Sequence, residues 1–433
     1  NPKDIDKFLV ITYTKAAAAE LRSRILDEIN ELLAEEPENR ALARQSALVY
    51  KAPISTIHSF CSSLLRENAQ LLGISPEFRV MEDEESGTVK HRVLSGVLDD
   101  WYERMEEDFM QLVDTMAAGR DDQKLPLLVL DLYTKLKSHP NPEKWAAGRL
   151  AELETCGGCR DAAETSWGRS ILDYAKSCAG YWLETFSRAE RMVYEDEIIA
   201  RAYGESFSGT RASLESFNKA LEGGWDKARA ALPIEFPRLK PLRGYSGPEV
   251  DEVKRVRELC KKAMEKLAEI FDCSSAELME DMAAVLPPVR ALFSLTLDFD
   301  RAYSEEKARL RALDFSDLEH LAIKLLTDES FAPSEKGVEI SERFEEIMVD
   351  EYQDANEIQD ILFSALSRGG RNLFMVGDVK QSIYRFRLAD PTIFLRKYAA
   401  FKDLKGAKEG EPRKVVLREN FRSRQNVLDA VNF

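Results

Sequence analysis

Chemistry in this sequence sits at the ends of short apolar runs. Ile347-Met348-Val349 is followed at once by Asp350-Glu351-Tyr352-Gln353-Asp354. A buried strand ending in two carboxylates puts them at the rim of its sheet, where one can hold Mg²⁺, usually through water, and the other can orient or deprotonate an attacking water. Taken alone, such a pair also fits the solvated start of a loop. A second run, Asn372-Leu373-Phe374-Met375-Val376, leads into Gly377-Asp378-Val379-Lys380-Gln381-Ser382-Ile383-Tyr384-Arg385-Phe386-Arg387. It has a glycine turn, a neutral amide at Gln381, and two aromatics interleaved with two guanidiniums. Flat rings stack on unpaired bases at about 1–3 kcal/mol each while arginines neutralise phosphates, which suits single-stranded nucleic acid. The competing reading makes Tyr384 and Phe386, two residues apart, core positions on one face of a strand.

Two weaker groups join them. Leu417-Arg418-Glu419-Asn420-Phe421-Arg422-Ser423 reads as a strand leading into a helix start, where a guanidinium could reach a terminal phosphate. Thr12-Tyr13-Thr14-Lys15 and Ile54-Ser55-Thr56-Ile57-His58-Ser59-Phe60 offer hydroxyls and helix-start amides, which position a phosphate backbone without reading sequence. By itself His58 fits a packed or capping imidazole as well as a ligand.

The elements that must hold these residues are strands and helices in alternation. Phe8-Leu9-Val10-Ile11 is of buried-strand length and is followed by a helical stretch with Ala19, Leu21, Ile25, Ile29 and Leu32 near one face. Strand, polar loop and helix form the unit that exposes a ligand-binding loop at the strand's carboxyl end. From about Val80 to Leu310 the pattern changes to long helical periodicities, such as Val93, Val97, Trp101, Met105, Phe109 and Leu112, or Val253, Val256, Cys260, Ala263, Leu267 and Ile270. All five Trp and five of the six Cys fall there. Within it, Ala231 to Glu249 carries four prolines and two glycines and reads as a loop or linker. After Asp314 the strand pattern returns, with Lys414-Val415-Val416-Leu417 as its last run and a helix from Gln425 onward. The expected fold is therefore α/β, a parallel-sheet domain in residues 1–79 and 311–414, interrupted by an all-α insertion over 80–310, with 415–433 opening a further domain.

Composition bounds the function. At roughly 150 residues per domain, 433 residues make about three domains or two with a large insertion. No apolar run approaches the ~18 residues of a membrane span, and Leu125 to Leu130 is broken by Pro126. The opening Asn1-Pro2-Lys3-Asp4 has no apolar signal region, so an excised piece, a reduced cytoplasmic setting and no membrane are expected. Net charge is −16, yet Leu366 to Asn426 holds 15 Lys+Arg against 6 Asp+Glu, a local +9. Any polyanion surface must be local. Cys156-Gly157-Gly158-Cys159 has metal-ligand spacing but lacks a second close pair, so a glycine turn with two free thiols is the plainer reading.

In order along the chain, Thr12-Tyr13-Thr14, Ser55-Thr56-Ile57-His58-Ser59-Phe60, Asp314-Phe315-Ser316-Asp317-Leu318, Asp350-Glu351-Tyr352-Gln353-Asp354, Gly377-Asp378 with Gln381-Ser382-Ile383-Tyr384, and Asn420-Phe421-Arg422-Ser423 resemble the successive motifs of UvrD/Rep-like superfamily 1 helicases. Tyr384-Arg385-Phe386-Arg387-Leu388-Ala389-Asp390-Pro391 departs from the usual Trp-Arg-Gly-Ala form. Within the superfamily it resembles the A subunits of AddAB-type helicase-nucleases.

The resemblance implies a RecA-like P-loop motor domain, ATP and Mg²⁺ as cofactors, and ATP-driven translocation on single-stranded DNA with unwinding of duplex ends in break repair and recombination. A B-type helicase-nuclease subunit is the implied partner. It implies Asp350 as the Mg²⁺ ligand, Glu351 as base, Gln381 as the γ-phosphate sensor, Phe421 stacked on adenine and Arg422 on the γ-phosphate. Thr12, Tyr13, Thr14, Thr56, His58, Tyr384, Phe386 and Arg387 would line the DNA path. Lys15 stands where relatives commonly carry Asn. The pattern Gly-x-x-x-x-Gly-Lys-[Ser/Thr] does not occur in the 433 residues, so this piece is expected neither to hydrolyse ATP nor to unwind DNA although its parent does both. The rival readings are a UvrD/Rep or RecB-like helicase without an AddAB partner, and a non-catalytic DNA-binding scaffold. The intact Asp350, Glu351, Gln381 and Arg422 speak against the scaffold.

Overall fold

The computed structural model describes residues 3–117, 124–156, 158–242, 244, 246–383, 388–417, 419–421 and 423–432. The chain divides into two compact units, one of residues 1–100, 126–143 and 295–433, the other of 101–125 and 144–294. Both divisions fall inside helices, where no change of composition marks them, so these boundaries differ from the 80 and 310 that residue usage suggests.

The first unit is built on a parallel sheet. Its strands are β1 (Phe8–Thr12), β2 (Ile54–Thr56), β5 (Glu346–Val349) and β6 (Leu373–Met375), in the order β2-β1-β5-β6. Val10 pairs with Ile54 on one side of β1, and Leu9 with Ile347 on the other. Strand alternation explains why nearly every residue is apolar. Leu9, Ile11, Ile347 and Val349 face one core with the helices Ile57–Glu67, Phe315–Leu326 and Glu357–Leu366. Val10, Ile54 and Met348 face the other, against Ala18, Leu21 and Ile25 of the helix Lys15–Glu35. Helices on both faces leave no polar side to the sheet, the ordinary state of parallel strands. Ala18, one residue before the expected Ala19, is the alanine that turns inward, and Leu32 is largely exposed. Two short parallel pairs complete the unit, β3 (Arg79–Val80) with β4 (Ala312–Leu313), and β7 (Lys402–Asp403) with β8 (Arg413–Lys414). The strand expected over Lys414-Leu417 ends at Lys414, and Val415, Val416 and Leu417 are exposed.

The second unit is helical among its described residues. The helices Ser166–Glu195, Glu197–Ala220 and Pro248–Ile270 enclose a core with Phe186 stacked on Phe207 at 4.9 Å. Val253, Cys260 and Leu267 are fully buried there, and Val256, Ala263 and Ile270 flank them, as their 3-4 spacing requires. Residues 231–247 form no helix or strand, yet they are no loose linker: Ile234 is buried, and Arg257 donates to the carbonyls of Phe236 and Pro237. Pro248 belongs to the helix, at its first turn, where a missing N–H costs nothing.

Two sequence expectations change. The helix through Val93 and Val97 stops at Arg104, because Met105 is left-handed (φ 49°) and exposed; the next begins at Glu107. Leu94, Leu98 and Trp101 carry its buried stripe. One helix, Ser275–Arg309, is long and apolar enough to cross a membrane, with 33% of the apolar window buried. Pro287, Pro288 and Arg290 break its run of apolar letters but not its mean hydropathy. The thiols of Cys156 and Cys159 donate to the carbonyls of Glu152 and Thr155 one turn back.

Candidate functional site

Parallel strands end together, so the carboxyl ends of β1, β2, β5 and β6 bring Thr12–Thr14, Thr56–His58, Asp350–Glu351 and Gly377–Gln381 to one edge of the sheet. At β1, buried Thr12 donates to the Thr14 carbonyl, and the Thr14 hydroxyl caps the following helix by accepting from Ala17 N at 3.1 Å. Tyr13 stands between them with its ring exposed. At β2, Thr56 caps in the same way, accepting from Ser59 N. The hydroxyls of Thr14 and Thr56 are thus engaged in starting helices, and any phosphate contact there falls to helix-start amides.

Asp350 and Glu351 sit at the end of β5. Asp350 N donates to Ile11 O at 3.0 Å, which locks the turn to β1, and Asp350 Oδ1 accepts from Glu351 N at 3.0 Å. Glu351 adopts the left-handed conformation, φ 51° and ψ 42°. A non-glycine residue held there stores about 1–3 kcal/mol, which neighbouring contacts must offset. They are found one residue on: Tyr352 N donates to Val376 O and Val376 N to Val349 O, both at 2.9 Å.

Gln353 is the residue that sequence reasoning missed. It is 1% exposed. Its Nε2 donates to Glu351 Oε2 at 2.7 Å, and its Oε1 accepts from Asp378 N at 3.0 Å. Asp378 Oδ2 in turn accepts from Gln381 Nε2 at 3.0 Å, and that bond holds the Asp378 carboxyl below its ordinary range. A continuous chain of hydrogen bonds therefore runs from the Glu351 carboxylate to the Gln381 amide. Gly377 makes it possible, since a Cβ there would lie 2.6 Å from Gln353 Oε1 and 3.2 Å from Gln353 N. Gly377→Ala is expected to destabilise the chain by about 1–3 kcal/mol, measured by urea unfolding; an unchanged midpoint would show that the turn can relax.

The donor set suits a hard cation carried on a phosphate. Among the described residues no group of three or more His, Cys, Asp or Glu side chains could hold a metal alone. Mg²⁺ needs no such cage, because it keeps waters and shares its shell with phosphate oxygens. Exposed Asp350 fits that use, and Asp354 Oδ1 beside it is a buried acceptor without a partner. Burial, and then the Glu351 charge, push the Asp354 carboxyl up.

Phe421 is not brought to the carboxylates; it is 90% exposed, with no ring contact among the described residues. Tyr384, Phe386, Arg387 and Arg422 lie outside the described residues, as does Arg243 of the basic stretch near Lys240.

The sequence profile described as UvrD/REP helicase N-terminal domain matches residues 2–402. The A subunit of the ATP-dependent helicase/nuclease of Acetivibrio thermocellus is 38% identical over 450 aligned positions, covering 100% of this chain and 35% of that protein. The proteins of the same name from Clostridioides difficile and Clostridium acetobutylicum are each 35% identical over 100% of this chain, and 35% and 36% of their own lengths. The chain spans about a third of the length of these curated relatives.

Proposed function

The chain belongs to the UvrD/REP helicase family, whose N-terminal-domain profile covers residues 2–402, and from that premise we propose that it forms the nucleotide- and strand-handling part of the A-type polypeptide of an ATP-dependent helicase-nuclease. The observation that carries this reading is the Glu351–Gln353–Asp378–Gln381 chain at the carboxyl ends of β5 and β6. It joins a carboxylate able to take a proton from water to an amide able to feel a phosphate, so the two answer to the same bound group.

In this reading the sheet is that of a RecA-like motor domain. Asp350 would hold Mg²⁺ on the ATP phosphates, and the ion supplies neutralisation of phosphate charge. Glu351, fixed by its left-handed backbone and by Gln353, orients the attacking water and accepts its proton. Gln381 reports on the terminal phosphate. Tyr13 and His58, at the carboxyl ends of β1 and β2, face the path of a single strand. Translocation on DNA, unwinding of duplex ends in break repair, a partner polypeptide and a cytoplasmic setting complete the proposal. They are supported by the relatives' names and by the local +9 of residues 366–426. The test is ATP hydrolysis by the full-length gene product with and without single-stranded DNA. A several-fold rise on adding the strand is expected; hydrolysis indifferent to it would remove the strand from the mechanism.

A further inference from the structure

Glu319 is a carboxylate buried to 5% exposure in the middle of the helix Phe315–Leu326. Burying a charge is costly, and buried ion pairs are weak sources of stability. What surrounds this one is specific. His58 Nε2, from the start of the helix after β2, lies 3.3 Å from Glu319 Oε1, and the imidazole is 37% exposed on its side chain. Gln359 Nε2 donates to the same oxygen at 2.7 Å. Burial alone would raise the Glu319 carboxyl, but His58, Gln359 and Asn356 together bring it below its ordinary range. From the side, the Phe315 ring packs on the imidazole at 4.8 Å, tilted by 42°.

The imidazole is therefore held by an acceptor behind and a ring beside, while Gln359 ties that acceptor to another helix. Gln359 lies in the first turn of the helix Glu357–Leu366, and Asn356, its N-cap, accepts from Gln359 N at 2.8 Å. That helix follows directly on the Tyr352–Asp354 turn that contains Gln353. With Nε2 turned to the carboxylate, Nδ1 is the nitrogen that remains for a ligand.

We propose that Glu319 is a positioning residue for the nucleic-acid contact: its carboxylate sets the ring plane and tautomer of His58 at the edge of β2 and, through Gln359, ties that contact to the helix behind the Asp350–Glu351 turn. The inference rests on the reading of this edge as a strand path. It adds a residue that touches neither strand nor nucleotide and acts through two that do.

The test uses the full-length gene product and a fluorescent oligothymidylate. Glu319→Gln keeps the volume and an acceptor oxygen but removes the charge. It is expected to weaken strand affinity by about five- to tenfold, within the range of contacting-pair couplings, while hydrolysis without DNA is unchanged. In a His58→Ala background the same substitution is expected to have no effect on affinity. Equal losses in both backgrounds, or none in Glu319→Gln when His58→Ala weakens binding, would overturn the positioning role. If His58→Ala alone leaves affinity intact, the strand does not cross this edge, and the fault lies in the underlying reading. Should Glu319→Gln lower the folded fraction in a thermal melt, Gln359→Leu serves instead. It is expected to show a smaller loss with the same dependence on His58, and a loss independent of His58 counts against the proposal.

Discussion

Glu351→Gln in the full-length gene product is expected to lower ATP turnover by about 10²- to 10⁴-fold, the usual weight of a positioned proton acceptor, while nucleotide affinity stays within a small factor. The reasoning is geometric. Glutamine has the length of glutamate and retains an oxygen able to accept from Gln353 Nε2, now at 2.7 Å from Glu351 Oε2. It bears the same backbone cost at φ 51°. What it lacks is basicity. A fall in kcat with KM preserved is the mark of an interaction made only in the transition state. Equal damage to binding and turnover would assign Glu351 to structure, and an unaffected rate would remove it from the base role.

The second large effect concerns folding. Lys307, in the last turn of Ser275–Arg309, is 2% exposed. Its Nζ lies 2.6 Å from Asp317 Oδ1, 3.3 Å from Asp314 Oδ2 and 4.3 Å from the Tyr303 ring centre. The two aspartates form a reciprocal capping box that starts the helix Phe315–Leu326. Burial raises the Asp317 carboxyl, with Asp314 adding to it; for Asp314 burial acts the same way but is outweighed by Lys307 and neighbouring charges, which hold it low. Lys307→Met should cost about 3–5 kcal/mol, because it leaves two buried carboxylates without their cation. Urea unfolding of the 433-residue chain measures it. Adding Asp317→Asn should recover part of the loss, since the two sites share one network; strictly additive losses would deny the coupling.

Both effects turn on residues of ordinary appearance. Nothing in the letters around Lys307 separates it from the solvent-facing lysines of other helices, because its two partners lie beyond the helix's own end. Gln353 is similar. It stands inside a motif whose carboxylates draw attention, and only the approach of Gly377, from a neighbouring strand, makes its amide the link to Gln381. A buried amide between two charged ends of strands is a signal that local pattern alone does not carry. Glu319 and His58 are still further apart in the chain, and their meeting depends on how two helices pack over one face of the sheet.

Much was legible before any coordinates. Short runs of branched and aromatic residues can satisfy a parallel sheet covered on both faces and little else, so Phe8–Ile11, Ile347–Val349 and Leu373–Met375 announced themselves as strands. Polar residues that follow such runs must lie at the carboxyl edge, because the chain leaves the core there. That alone placed Asp350, Glu351 and Gln381 on a common rim. What the letters left open was everything decided by contact across the chain. The order β2-β1-β5-β6, the inward turn of Ala18 rather than Ala19, the break at Met105 and the left-handed backbone of Glu351 are of this kind. Periodicity reports a preference averaged along one segment, whereas each of these is set by which neighbour fills a particular volume or accepts a particular hydrogen bond.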